Sequence, residues 1–270
     1  MNNLSIVCVY NDKDILSNWL RKSLECQNFE YESIFLDNTS NKYQSAAEAL
    51  NEGGTKAHGK YLMFVHQDIK FMNDVFLKDI FHELESIKNL GVAGTAGKSL
   101  EDKEIITNIK HGIPPRYASR KHYTCRQEAQ TLDESLLVIP REIFRLYQFN
   151  EKICDNWHLY GVEYCLSMRK IGFDVYVIPL TLYHKSNGVS LNWSYFITLK
   201  KVLHLYKKEY SKICTTVYNW YTGIPIEIQL VPFFFKHLWE FFYFRISDEL
   251  NNYPRLAKCL FVIKKRVVGR

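Results

Sequence analysis

The chain has no run of about 18 uncharged apolar residues, so nothing in it predicts a membrane-spanning helix. The nearest approach, Ile224–Phe244, is broken by Glu227, Lys236, His237 and Glu240. No two of the seven cysteines stand in CxxC spacing, which argues against a zinc ribbon. Cys8, Cys26, Cys125, Cys154, Cys165, Cys214 and Cys259 are scattered and odd in number, which predicts reduced thiols and a cytoplasmic protein. Cys8 and Cys165 fall in apolar patterns and read as core residues. No basic segment or cleavage site precedes the first apolar stretch, so no signal peptide is expected. No GxGxxG follows the first strand, which disfavours a dinucleotide-binding oxidoreductase. No GxSxG elbow is present, which disfavours a serine hydrolase. GVAGTAGKS at Gly91–Ser99 imitates a phosphate loop, but five residues separate Gly91 from Gly97 where that loop has four. There is no internal repeat and no low-complexity segment.

The sequence does contain enough for one large domain, or a domain with an appendage: 270 residues, 47% of them hydrophobic. Net charge is +6, with a pI near 8.8. Such a balance suits an anionic partner, either a nucleotide diphosphate, nucleic acid or an anionic membrane surface. No compact basic cluster interleaved with aromatics occurs outside the tail, so a nucleic-acid role is not expected.

Leu4–Tyr10 is an apolar run of strand length ending at Asn11-Asp12, good helix N-caps. Ile15, Leu16, Trp19, Leu20 and Leu24 then recur at helical spacing. A second strand over Glu32–Leu36 ends at Asp37-Asn38. A helix over Gln44–Glu52 is expected to stop at Gly53-Gly54. Tyr61–Val65 is the third strand, Val75–Leu90 a helix and Gly91–Thr95 the fourth strand. This alternation predicts an α/β fold with a mostly parallel sheet. Leu100–Leu132 is polar, and it reads as a long excursion over the site that would exclude water. Ser135–Ile139 predicts a further strand, Tyr160–Ile171 a helix closed by Gly172, and Val175–Ile178 a short strand.

The most informative stretch is Lys60–Phe71, KYLMFVHQDIKF. A buried strand there stops at His66-Gln67-Asp68. Ligands in open α/β sheets bind just outside the carboxyl ends of strands, so this end offers a metal or phosphate site. A plain strand end followed by a solvated turn has the same pattern. Three consecutive strands end in Asn/Asp or His/Asp, as a nucleotide crevice would need.

The segment AEALNEGGTKAHGKYLMFVHQD resembles the inverting glycosyltransferases of the GT-A fold. In these a small helix, an Asn-x-Gly and an Ala-x-Gly precede a strand ending in an acidic motif. Asn51, Gly53, Ala57 and Gly59 hold those positions, and His66-Gln67-Asp68 stands where Asp-x-Asp is usual. The variant looks like a bacterial glycosyltransferase-like subgroup related to family 2, and the resemblance covers about the first 190 residues.

The resemblance implies a nucleotide-sugar donor, UDP-linked, and a glycan or lipid-linked acceptor. Val9, Tyr10 and Asn11 would sit at the base and ribose, with Asp37 contacting the nucleoside. Asp68, with His66, would handle the donor diphosphate through a divalent cation, Mn2+ or Mg2+. His184 would complete the metal site, with Lys185, Ser186 and Asn187 near the phosphates. Asp133 would contact donor or acceptor sugar. In NWHLYGVEYCLSMRKIGF the resemblance implies a catalytic base at Glu163, with Asp155 in reserve and His158 orienting donor or acceptor. Related enzymes often carry two acids there, and Gly161 stands at the first.

A boundary is expected near residue 190, giving a catalytic domain 1–190 and a helical, aromatic-rich extension 191–270. Trp193–Tyr210 predicts a helix with one apolar face. The aromatic segment beyond it and the basic terminus KCLFVIKKRVVGR suit a peripheral position on the inner membrane leaflet. They suit equally a helical subdomain that packs on the core or pairs two copies. Two rival functions remain, a catalytically inactive nucleotide-sugar-binding scaffold and a membrane-surface interaction protein.

Overall fold

In a computed structural model the described residues are 3–101, 104–186, 192–232 and 234. The first strand, β1 (Leu4–Tyr10), leads into a helical stretch capped by Asp12. That stretch comprises α1 (Lys13–Leu16), a π turn (Ser17–Arg21) and α2 (Lys22–Leu24). Next come β2 (Tyr31–Asp37) and α3 (Ala46–Lys56), whose N-cap Ser45 accepts from Glu48 N. β3 (Tyr61–Val65), β4 (Ile69–Phe71), α4 (Phe76–Glu85) and β5 (Leu90–Gly94) follow.

After β6 (Ala96–Lys98) the polar excursion carries two-residue strands between irregular stretches. These are β7 (Ile106–Thr107), β8 (Lys110–His111), β9 (Arg116–Tyr117), β10 (Gln127–Glu128) and β11 (Thr131–Leu132). The chain continues through β12 (Leu136–Pro140), α5 (Arg141–Leu146), α6 (Tyr160–Lys170), β13 (Asp174–Val177) and β14 (Leu182–His184). Last come α7 (Trp193–Leu205) and a hairpin of β15 (Lys212–Cys214) and β16 (Asn219–Tyr221).

The central sheet has seven strands in the order β10-β13-β5-β12-β3-β1-β2. β1 pairs in parallel with both β2 and β3, and β13 pairs in parallel with β5. β12 runs antiparallel between β3 and β5, and β10 is antiparallel at the edge. The sheet is thus mostly parallel, as expected, and its strand order reverses at β1. The antiparallel strand matters for the site, because Leu136 stands opposite Val65. Residues entering β12 therefore meet residues leaving β3.

Alternate residues of the strands feed two cores. Val7, Leu62, Phe64, Leu137 and Ile139 join Ala47, Leu50, Phe144, Tyr164 and Met168 on one face. Leu4, Ile6, Cys8, Met63, Val65 and Val138 join Leu16, Leu20, Phe76, Leu77 and Ile80 on the other. This is the period-2 alternation of strands buried on both faces.

Gly53-Gly54 does not end a helix, contrary to expectation. α3 runs through the pair to Lys56. A Cβ at Gly53 would lie 2.5 Å from Val7 Cγ1, and one at Gly54 would lie 2.3 Å from Phe144 Cε1. Gly53 lets the helix lie close against β1 and β2, and Gly54 lets it lie close against Phe144 of α5. Asn51 is structural as well: its Nδ2 donates to Phe149 O (2.9 Å) and its Oδ1 accepts from Phe149 N (3.0 Å).

The chain divides into two compact units, Met1–Thr222 and Gly223–Arg270. α7 and the hairpin therefore belong to the first unit, beyond the boundary expected near residue 190. Gln130 ties the hairpin down, its Nε2 donating to Lys212 O and its Oε1 accepting from Cys214 N. In the second unit the described residues turn helical at Ile226. No helix among the described residues is long and apolar enough to cross a membrane. The basic terminus and most of the aromatic segment lie outside the described residues.

Candidate active site

A cavity of about 430 Å3 opens where the strand order reverses, outside the carboxyl ends of β1 and β3. Val9, Tyr10 and Asn11 reach it from β1, His66, Gln67 and Asp68 from β3, and Asp133 and Glu134 from the approach to β12. Trp157 just before α6 and Tyr160 at its start, with His184 at the end of β14 and Ser186 after it, complete its chemistry. A larger cavity of about 560 Å3, with Lys60, Arg141 and Arg145, lies around the starts of β3 and β5. That is the wrong strand end for such a site, and no metal-ligand group falls there among the described residues.

His66, Asp68 and His184 converge, with one ligand atom of each lying within 4.8 Å of the others. The small sheet β4-β14-β8-β9 accounts for it, because His184 pairs with Ile69, the neighbour of Asp68. His184 Nε2 lies 3.3 Å from Asp68 Oδ1, and the two side chains are 12% and 17% exposed. Ser186 N donates to Asp68 Oδ2 at 3.2 Å. Burial alone would raise the Asp68 carboxyl, but His184, His66 and the Ser186 amide together outweigh it and bring the group down to about 2. Burial would likewise lower His184, and Asp68 with Asp133 outweighs it and raises that imidazole. His66 is pushed down by burial and then by His184. Two imidazoles and a carboxylate could hold a divalent cation, and the imidazoles favour a softer ion over magnesium.

Gln67 locks the ends of β1 and β3 together. Its Oε1 accepts from Asn11 N (3.1 Å) and Asp12 N (3.0 Å), and its Nε2 donates to Asn11 Oδ1 at 2.6 Å. Tyr10 OH donates to Asp37 Oδ2 at 2.9 Å. Asp37 does not itself line the cavity. Its carboxyl is held well below the usual range by hydrogen bonds from the Thr39 hydroxyl and amide, with help from Tyr10 and Lys13. Asp133 lines the cavity with both oxygens engaged, Oδ1 by Ser135 N (3.0 Å) and Oδ2 by Thr216 Oγ1 (3.1 Å).

Like Asp37, the expected residues Glu163, Asp155 and His158 do not line the cavity. Glu163 is buried at 4% exposure, and its Oε1 accepts from Tyr206 OH (2.9 Å) and Asn150 Nδ2 (3.2 Å). Burial raises its carboxyl, partly offset by those two donors. Asp155 is exposed and paired with Lys201 Nζ at 2.6 Å. His158 turns to Asn192 Oδ1 at 3.1 Å, and burial lowers its pKa. Asn187 lies outside the described residues. Among the described residues, the Leu100–Leu132 excursion contributes no lining residue to the cavity. Instead β8 buttresses β14, with His111 opposite His184.

Sequence reasoning missed Glu134, Trp157 and Tyr160. Tyr160 OH stands 3.3 Å from His66 Nε2 and 3.4 Å from Glu134 O, tying metal-side and β12-side residues together. Trp157 lines the cavity and is 41% exposed. The backbone is strained here too. Asn41, in the cavity wall, has φ 55°, and Leu159, the N-cap of α6, has φ 65°. The left-handed region costs a leucine about 1–2 kcal/mol, and such strain gathers at functional sites.

The model of the glycosyltransferase-like family matches residues 5–218. The chain belongs to that family. Solved structures share its fold. GalNAc-T7 with UDP, GalNAc and Mn2+ aligns at 13% identity and TM-score 0.52, over 77% of this chain and 48% of its own. S. aureus TarS 1–349 with UDP-GlcNAc aligns at 14% and 0.53, over 75% and 66%. The mannosyltransferase PcManGT of Pyrobaculum calidifontis, with GDP-Man and Mn2+, aligns at 10% and 0.52, over 77% and 64%. The glycosyltransferase-like chain thus spans about half to two thirds of the length of these proteins. At such identities the likeness is one of fold, the expected GT-A fold. No curated protein matches the sequence.

Proposed function

We propose that the chain transfers a sugar, with inversion, from a UDP-linked donor to a hydroxyl of a surface or lipid-linked glycan. The observation that carries this reading is the His66–Asp68–His184 cluster in a cavity where the strand order reverses. Tyr10, anchored by Asp37, presents an aromatic face for a nucleobase, and Val9 and Asn11 line the same wall. Asp133 faces the sugar. A divalent cation held by Asp68 and His184, with His66 beside them, would stabilise the negative charge that collects on the leaving diphosphate. The Mn2+ in two neighbours of this fold supports the choice of ion. A peripheral position at the membrane and pairing of two copies through residues 191–270 are supported by composition alone.

The test is a thermal-shift panel of UDP, GDP and their sugars, with and without manganese. A ligand at a hundred times its dissociation constant adds about 2.7 kcal/mol, so an occupied site will show. The expected outcome is a UDP-type shift that needs manganese and disappears in Asp68→Ala. No shift with any nucleotide would sink the reading in favour of the membrane-surface alternative.

A further inference from the structure

Transfer with inversion needs one group to take the acceptor proton as the hydroxyl attacks. Glu163 does not line the cavity, and its carboxylate is committed to Tyr206 and Asn150. Its place in the fold is a buried link between α6 and the chain after α7. Asp155 is held by Lys201 at the surface.

Glu134 has the opposite character. It lines the cavity beside Asp133. Its Oε1 is shielded from solvent and has no hydrogen-bond partner among the described residues, while the amides of Gly161, Leu159 and Val162 at the start of α6 act on the carboxylate as a whole. A buried carboxylate oxygen without a partner is costly and calls for an explanation. Its Cγ lies 2.9 Å from where a Cβ at Gly161 would stand. A side chain at residue 161 and the side chain of Glu134 therefore compete for one space. Residue 161 is where the resemblance places the first of two acids, and here it is glycine. The antiparallel run of β12 delivers a glutamate into that same space from the other side.

We infer that Glu134, and not Glu163, is the proton acceptor of the transfer. This rests on the glycosyltransferase reading of the cavity. The acceptor hydroxyl gives its proton to the Glu134 carboxylate while its oxygen bonds to the anomeric carbon. The bond from that carbon to the diphosphate oxygen breaks, and its electron pair leaves with the nucleoside diphosphate. Glu134, then neutral, returns the proton to water. Burial and the neighbouring Asp133 raise its carboxyl to about 8, against which the amides of Gly161, Leu159 and Val162 pull. A proton affinity near the working pH is what a general base needs.

The experiment separates this inference from the reading beneath it. Manganese-dependent thermal shift with UDP reports donor binding. Release of UDP to water, from a panel of UDP-hexoses and UDP-N-acetylhexosamines, reports proton abstraction without a known acceptor. Glu134→Gln is expected to keep the UDP shift and lose at least about 100-fold in UDP release, the scale of a lost general base. Glu163→Gln is expected to lower the melting temperature and keep release within a few-fold. Glu134→Gly combined with Gly161→Asp is expected to recover release that Glu134→Gly alone loses. The inference is overturned if Glu134→Gln releases UDP like the unaltered protein, or if folded Glu163→Gln does not release it. It is also overturned if the unaltered protein binds UDP but releases none. Absence of any UDP shift overturns the transferase reading itself, and the inference with it.

Discussion

Ionisable groups around the cavity are held away from their ordinary protonation behaviour, and folding stability inherits the difference. Asp68 is depressed to about 2, so its contribution is present above 3.8 and lost as pH falls toward 2. His184 is raised, so its contribution is present below 6.5 and lost as pH rises through its folded value. His66 is lowered and works in the opposite direction below 6.5. Glu134 is raised from 4.5 to about 8, so its contribution is complete below 4.5 and disappears between those values. Glu134→Gln has no proton to lose, and comparison with it isolates that one group. Urea denaturation in EDTA should find the stability difference, unaltered protein minus Glu134→Gln, falling steadily from about pH 5 to about pH 8. A flat difference would mean that Glu134 titrates like a solvated glutamate.

At the scale of elements, the packing of α3 rests on two hydrogen atoms where other residues carry side chains. Alanine normally favours a helix over glycine by about 1 kcal/mol. Gly54→Ala should do the reverse, because its Cβ would meet the Phe144 ring at 2.3 Å. That ring is itself packed between Phe64, 5.1 Å away, and Phe149, 5.8 Å away. Overpacking of this kind costs about 1–3 kcal/mol, and a urea midpoint below that of the unaltered protein would show it. An unchanged or higher midpoint would mean that the ring can yield.

The same elements mark what the sequence could and could not disclose. β1, β2, β3 and α6 were legible because apolar runs and helical periodicity are local. So was the convergence of polar residues at their ends. The direction of β12 was not, since no pattern within LLVIP distinguishes a parallel from an antiparallel neighbour. With it went Glu134, whose role depends on what faces it across the sheet edge. The Gly-Gly pair reads as a helix stop unless Phe144 is known to lie opposite. The β15–β16 hairpin was hidden because its strands are three residues long and are held by Gln130 from far up the chain.

On the scale of the whole molecule, both hydrophobic cores, the cavity and the family match all fall within residues 1–222. A chain ended after Thr222 should therefore keep the cooperative unfolding and the UDP shift of the full protein. Circular dichroism melts with and without nucleotide would check this, and loss of either would assign part of the site or core to residues 223–270. The reversed strand has one more consequence. The entrance to β12 and the start of α6 are remote in sequence yet face each other across the sheet edge. A carboxylate can thus pass from one loop to the other during evolution without any change of scaffold. Column by column, an alignment would score such an exchange as two unrelated losses, a missing acid and a spoiled glycine, and would file an intact enzyme among the dead ones.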